Sequence, residues 1–285
     1  MTYETVESQP AGCSPPPVAE DGAKVQQKIA IIGMACRLPG DATSPSKLWD
    51  LCETGRDGWS PIPHDRFDAD AYHDANKDKA GRVSGKAYFI ASVDTVTGGY
   101  FLKQDVAAFD AAFFSMSGNL ADGPSMSIDT GCSAGLVALH QGSRCILSGD
   151  SGISVVVASN LMLNPDFFDA GSNLNMLGTN GRCYAWDSRA EGCGRGEGIV
   201  GLILKPLDAA PRDGDHVTCV NQDGKTSTIA SPSANAQVKL IEDCYRRANL
   251  DPAETSYVEA HMTGTQTGDT TEAEALARTL TGPAK

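Results

Sequence analysis

The chain has 285 residues, 41% of them hydrophobic and 21% charged, which is enough for a sizeable core in one large α/β domain or two smaller ones. With 23 basic against 36 acidic residues the net charge is −13, which argues against nucleic acid or an anionic membrane as the main partner, since phosphate binding needs clustered Lys and Arg. Nine cysteines without a CxxC pair, and no stretch resembling a secretory leader, read as reduced thiols in the cytoplasm; secreted, membrane-spanning and structural-zinc classes fit poorly.

Residues 1–27 are polar and carry Ser14-Pro15-Pro16-Pro17, the composition of a disordered N-terminal arm. Ile29 to Met34 reads as a buried strand ending in a Gly turn at Gly33. A short helix is expected over 46–54, with Leu48, Leu51 and Cys52 inward and Gly55 as its stop. A charged loop spotted with aromatic residues follows over 56–81. Residues 88–97 alternate too weakly to assign, and 103–114 place apolar residues at helical spacing.

Ser127 to Thr130 is a short β-like run, followed by a glycine turn and a helix over 133–148 with Leu136, Leu139 and Ser143 on one face. Ile153 to Ala158 reads as a buried strand, and 199–205 as another. Ser231-Pro232 looks like an N-cap and first-turn proline, opening a helix with Val238, Ile241, Tyr245 and Ala248 as its stripe. Tyr257 to Ala260 is a further strand. Thr271 and Glu274 suggest a capping box for a last helix with Ala273, Leu276, Ala277 and Leu280 inward. Strands alternating with helices predict an α/β fold with a largely parallel sheet.

The first chemical signal is Asp129-Thr130-Gly131-Cys132-Ser133-Ala134-Gly135, where small residues turn the chain into a helix with Cys132 at its N-terminus. Open N–H groups and the positive end of the helix dipole favour a thiolate there, and small neighbours let a substrate approach. A buried structural cysteine is the plain alternative. The same letters also spell GxSxG, a serine-hydrolase elbow with Ser133 as nucleophile and His261 available as base. The polar run before the turn counts against that reading, because the elbow normally follows an apolar strand.

The second signal is His261 in Glu259-Ala260-His261-Met262-Thr263-Gly264-Thr265, at the end of the expected strand and before a helix. Loops after strands are where α/β proteins gather active sites. An imidazole there can hydrogen-bond a developing oxyanion or take a proton. Thr263 and Thr265 offer hydroxyls to a polar substrate arm. His64, His73, His140 and His216 lack such a setting and read as structural or solvated. Gly196 to Gly201 matches GxGxxG but runs into a strand, so it is no dinucleotide loop; residues 192–198 (GCGRGEG) suit close backbone packing. No Cys/His cluster has metal-ligand spacing, so no metal is expected.

These segments together resemble the β-ketoacyl synthase (ketosynthase) domain of fungal iterative polyketide synthases, in the thiolase-like superfamily. The matching motifs, in the family's order, are IAIIGMACRLPG (29–40), LWDLCETGRDGWSPIPHDRF (48–67), GYFLKQDVAAFDAAFF (99–114) and GPSMSIDTGCSAGLVAL (123–139), then NGRCYAWDSRAEGCGRGEG (180–198), VNQDGKTS (220–227) and VEAHMTGTQTGDTTEAEAL (258–276). The resemblance implies an incomplete thiolase-like αβαβα layered fold. Residues 28–285 would form the ketosynthase-like domain, 28–206 its N-terminal part with Cys132 and 207–285 the start of its C-terminal part with His261.

The implied activity is acyl transfer and decarboxylative condensation. Cys132 takes an acyl chain from the phosphopantetheine arm of an acyl carrier protein or from CoA, and a malonyl thioester then extends it. His261 stabilises the enolate, Thr263, Gly264 and Thr265 line the arm, and Asp129, Thr130, Gly131 and Ser133 shape the site. No bound cofactor is expected. Departures from the pattern imply reduced activity: no second catalytic histidine motif is found, only 115–122 bridges a stretch that builds the family's homodimer interface, and another shortening precedes Val220. Residues 88–97 fit nothing in the family, and Gly131 and Met262 stand where Ala and Gly are usual. A non-catalytic fragment that binds carrier proteins or synthase subunits is the other implied reading.

Overall fold

A computed structural model describes residues 28–67, 98–99, 124–174, 176–207, 219–224, 226 and 231–280. The expected N-terminal arm, the helical spacing at 103–114, the stretch 88–97, His73 and His216 lie outside the described residues. Strand β1 runs from Ile29 to Arg37, β4 from Ser154 to Asn160 and β5 from Gly198 to Pro206; a two-residue ladder joins β2 (Ser60–Pro61) and β3 (Gly98–Gly99). The helices are α1 (Pro45–Glu53), α2 (Ala134–Ser148), α3 (Asp166–Asn173), α4 (Ala234–Ala248) and α5 (Gln266–Leu280).

The three long strands form one sheet in the order β1-β5-β4, and β5 is antiparallel to both neighbours. The expectation of a largely parallel sheet is thus corrected for the described strands. β1 and β4 do point the same way, but β5 lies between them and enters from the opposite end after the long 161–197 connection. Alternation of strands and helices in sequence does not fix which strands become neighbours. β1 also continues through Gly33 to Arg37 instead of turning there, with a register shift between Ile31 and Gly33 that lets the strand follow β5.

Helix α2 packs on the β4 side of the sheet, and Ile146 meets Ile29, Val156 and Leu204 in the main core cluster. Two glycines seven residues apart bring it close. A Cβ at Gly135 would sit 2.9 Å from the Ala158 Cβ, and one at Gly142 2.8 Å from Val156 Cγ2. Each glycine costs a helix interior about 1 kcal/mol, which the close packing offsets. Leu139 and Ser143 face inward as expected, but Leu136 is 72% exposed, a correction to its place on that face. The other sheet face is open: Ile32 and Met34 of β1 and Val155 and Val157 of β4 are exposed, so neither strand is buried on both sides. In α1, Leu48 and Leu51 are half-buried while Cys52 is exposed.

A second cluster joins Met162 and Phe168 to Ile62, Phe67 and Leu177, with the Phe67 and Phe168 rings in edge contact at 5.6 Å. Helix α4 is capped by Ser233, not Ser231: its hydroxyl accepts from Ala236 N, and its own N–H donates to Asp223 Oδ2 at 3.0 Å, which keeps the chain extended to that point. Val238 is buried, and Ile241, Tyr245 and Ala248 are half-buried beside it. Helix α5 begins five residues before the expected capping box, because Asp269 N–H donates to the Thr265 carbonyl and closes the first turn. Its buried positions are Asp269 and Ala275, while Ala277 is exposed. The strand expected over Tyr257 to Ala260 is corrected: these residues take no regular structure and pair with no strand among the described residues.

Candidate active site

The turn before α2 is built by its own polar groups. Asp129 Oδ1 accepts from Gly131 N–H at 3.0 Å, and Gly131 takes φ +66, a left-handed backbone that glycine adopts without a Cβ clash. Ser133 Oγ donates to the Thr130 carbonyl at 3.1 Å and shares a 2.8 Å hydrogen bond with Thr130 Oγ1. The serine hydroxyl is thereby committed to the turn. Cys132 is exposed at the top of this turn, and the Ser133 side chain makes no capping hydrogen bond to the helix N-terminus behind it. Uncapped N–H groups and the dipole therefore face the thiol's end of the helix.

His261 is also exposed, on a loop whose backbone is clamped to α5. The Glu272 carboxylate accepts from His261 N–H at 2.8 Å and from Met262 N–H at 2.9 Å. Gly264 N–H donates to Asp269 Oδ1 at 3.1 Å, and the Thr263 and Thr265 hydroxyls are 3.1 Å apart. Sequence reasoning missed Glu272 and Asp269. Their signal was available as carboxylates one and two turns into a helix that follows a Gly/Thr loop, where they can reach back to orphan N–H groups.

The glycine-rich stretch packs against the second of these regions. Gly192 N–H donates to the Gly264 carbonyl at 3.0 Å, and Gly264 lies against Cys183 and Tyr184. Next to Gly192, burial pushes the Cys193 thiol above its ordinary value, and the sulfurs of Cys183 and Cys132 act in the same direction. The structure therefore joins the Gly192 backbone to the loop that carries His261, Thr263, Gly264 and Thr265. Of the remaining histidines, His64 is exposed in its loop and His140 lies within α2.

Close backbone contact at 192–194 explains the glycines. A Cβ on Gly192 would lie 2.4 Å from the Leu177 carbonyl carbon, and one on Gly194 2.4 Å from the Gly181 carbonyl oxygen. Gly192→Ala is expected to lower stability by about 2–3 kcal/mol, read as a drop in the urea midpoint, since backbone cannot yield as a side chain can. As read from the sequence, GxGxxG leads into a strand, β5.

Met262 is only 9% exposed and has φ +33, unusual for any residue but glycine. Two effects oppose each other in Met262→Gly. Relief of the left-handed backbone is worth about 1–2 kcal/mol, whereas loss of a buried methionine side chain costs about 2–5 kcal/mol. The variant is expected to melt at a lower temperature; a higher Tm would show that backbone strain dominates.

The loop before the second cluster is pinned across this region. Arg66 forms a two-pronged pair with Glu197, Nε to Oε1 at 2.9 Å and Nη2 to Oε2 at 3.1 Å, and Glu197 Oε1 also accepts from Met162 N–H at 3.0 Å. Arg182 pairs with Asp57 and stacks over the Trp59 ring, whose Nε1–H donates to the Asn180 carbonyl. These contacts hold residues 57–67 against the 160–197 segment and so support the glycine stretch from below.

Comparison with known proteins gives a consistent picture. Residues 26–122 and 107–210 match the model of the β-ketoacyl synthase N-terminal domain, and 216–285 match its C-terminal domain. The chain is 39% identical over 342 residues to the highly reducing polyketide synthase poxF of Penicillium oxalicum, covering 90% of this chain and 13% of that protein. It is 36% identical over 338 residues to the lovastatin diketide synthase lovF of Aspergillus terreus, covering 89% and 13%. Both alignments are longer than the 285-residue chain, so each relative carries residues between the matched segments that this chain lacks. Among solved structures, the oxazolomycin ketosynthase domain OzmH KS7 of Streptomyces albus JA3453 superposes with a TM-score of 0.73 at 27% identity, over 90% of this chain and 56% of that one. The ketosynthase from module 6 of the bacillaene synthase of Bacillus subtilis 168 gives 0.73 at 26% identity, over 88% and 54%. The chain thus spans a little over half of these domains and about an eighth of the curated relatives.

Proposed function

The chain belongs to the β-ketoacyl synthase family, an acyltransferase class, and from that premise we propose that it extends acyl chains through a thioester on Cys132. The carrying observation is the exposed Cys132 at the N-terminus of α2, on a turn held by Asp129, Thr130 and Ser133. The thiolate of Cys132 attacks the carbonyl carbon of an acyl thioester on a carrier protein or CoA. A new C–S bond forms, the old one breaks, and the departing thiol takes the proton. A malonyl thioester then loses CO₂, its carbanion attacks the acyl carbon, and the Cys132 thiolate leaves. Two easier steps replace one difficult condensation.

His261 donates a hydrogen bond to the enolate oxygen that builds up on decarboxylation. Thr263 and Thr265 present hydroxyls to the phosphopantetheine arm, and Gly264 keeps that wall flat. The Glu272 clamp sets the direction of the histidine, since it holds the backbone N–H groups of both His261 and Met262. Acylation outlasts condensation in this chain: one histidine serves the described site, and Met262 fills the loop beside it. The carrier protein is the natural partner, and against a net charge of −13 its docking requires a local basic patch.

Incubation with an acyl thioester and a malonyl-carrier protein, with mass spectrometry of the intact chain and of the product, tests both halves. The expected result is an acyl adduct with little β-keto product. Rapid condensation that disappears in Cys132→Ala would overturn the impaired second step. An adduct on Ser133 would overturn the cysteine assignment itself.

A further inference from the structure

A cavity of about 490 Å³ opens beside α1 and shares no lining residue with the Cys132 turn or the His261 loop. Its floor is apolar. Leu38, Pro39 and Ala42 come from the turn after β1, which Leu38 N–H closes by donating to the Ala42 carbonyl at 2.9 Å. Leu48 and Leu51, three positions apart on α1, line the same space. The turn and the loop after α1 already meet backbone to backbone, so they close no further. A Cβ on Gly40 would lie 3.3 Å from Gly58 Cα, and one on Gly58 3.2 Å from the Pro39 carbonyl carbon. A second wall is made by Arg182, Cys183 and Tyr184, with Arg182 fixed by its pair with Asp57 and by the Trp59 ring.

Four charged groups line the cavity, and three of them are paired. Glu197 is bound by Arg66, and Asp57 by Arg182. Arg56 differs. Its Nε–H donates to Thr54 Oγ1 at 3.0 Å, but its ion-pair carboxylate, Asp41, is 3.6 Å from Nη1, beyond hydrogen-bond distance. The two side chains are 50% and 63% exposed, so that pair is weak. A guanidinium edge whose Nη groups make no hydrogen bond among the described residues therefore stands over an apolar floor. Such an edge matches the two oxygens of a carboxylate.

We propose that this cavity binds a medium-chain carboxylate, its head on Arg56 and its alkyl chain on Leu38, Leu48 and Leu51. The volume lies within the range of small-molecule sites, in which an apolar body and one placed charge fix the ligand. The second wall also supports the histidine loop: a Cβ on Gly264 would lie 2.9 Å from Tyr184 N and 3.3 Å from Cys183 Cα. A bound acid thus buttresses the backbone on which that loop rests. Binding requires no chemistry at Cys132.

The test uses the full chain carrying Cys132→Ala, so that the proposed nucleophile is silent. Cys183 is exposed and lines the cavity, whereas Cys52 is exposed on α1 outside it. Iodoacetamide labelling of the two, mapped by mass spectrometry, reads occupancy against an internal control. Decanoate below its micelle concentration is expected to slow Cys183 by at least about fivefold and to leave Cys52 unchanged. Equilibrium dialysis is expected to give one decanoate per chain. Arg56→Gln, at an exposed position, is expected to weaken decanoate about tenfold with an unchanged circular dichroism spectrum. Acetate and decanol, which carry the head or the tail alone, are expected to protect far less. Equal protection by decanol, or undiminished decanoate binding in Arg56→Gln, would overturn the carboxylate site. Unchanged Cys183 labelling in decanoate would overturn the cavity as a binding site, as would equal slowing of Cys52, which means surfactant binding at large.

Discussion

Cys132→Ala is expected to abolish the acyl adduct and to lower any condensation product by at least about 10³-fold, with the fold intact. The side chain is exposed and the turn around it is held by Asp129, Thr130 and Ser133, so removing the sulfur leaves the local hydrogen bonds in place. Ser133→Ala is the informative partner. It is expected to retain labelling, since the Ser133 hydroxyl is engaged with the Thr130 carbonyl. Loss of the adduct in Ser133→Ala with its retention in Cys132→Ala would exchange the two roles. Circular dichroism of both variants separates chemistry from unfolding.

Glu197→Gln is expected to be the most damaging single change to stability, costing about 3–5 kcal/mol in a chain whose total is about 5–15 kcal/mol. The side chains of Arg66 and Glu197 are 5% and 0% exposed, and the carboxylate also holds the Met162 N–H. Removing its charge takes away the buried counter-charge of the guanidinium and leaves the exposed Asp65 carboxylate at 3.1 Å beside it, next to the contact between Phe67 and Phe168. A surface pair gives the contrast. Arg278 and Glu274 meet at 3.2 Å on α5 with side chains 43% and 61% exposed, so Glu274→Gln should cost less than about 0.5 kcal/mol. Urea titrations of the two variants check this directly. Equal midpoints would show that the buried pair contributes no more than the exposed one.

Much of the local structure was legible because its causes are local. Helix α2 ends at Ser148 with Gly149 in the left-handed region, as its spacing and glycine suggested, and β4 and β5 lie within two residues of their expected bounds. Close packing at 192–198 could be read from the density of glycine. The start of α5 could not, because Thr265, Thr267 and Gly268 look like loop until Asp269 closes the turn over them. The same applies to Ser233, whose cap depends on Asp223, ten residues earlier. The segment 257–260 has strand composition but no pairing partner among the described residues, since pairing belongs to the neighbour as much as to the segment itself.

The sequence by itself determined the family, the turn that presents Cys132 and the Gly/Thr loop that presents His261. Each rests on residue types within about a dozen positions, where chirality, capping and small side chains act directly. Only the tertiary structure decided that β5 runs against both its neighbours, that one sheet face and Leu136 stay open, and that Glu272 and Gly192 hold the histidine loop. It also decided that Arg66 finds Glu197 across 131 positions. Such contacts depend on chain closure over long separations, and the free energy that selects among closures comes from packing the whole core, not from any one segment.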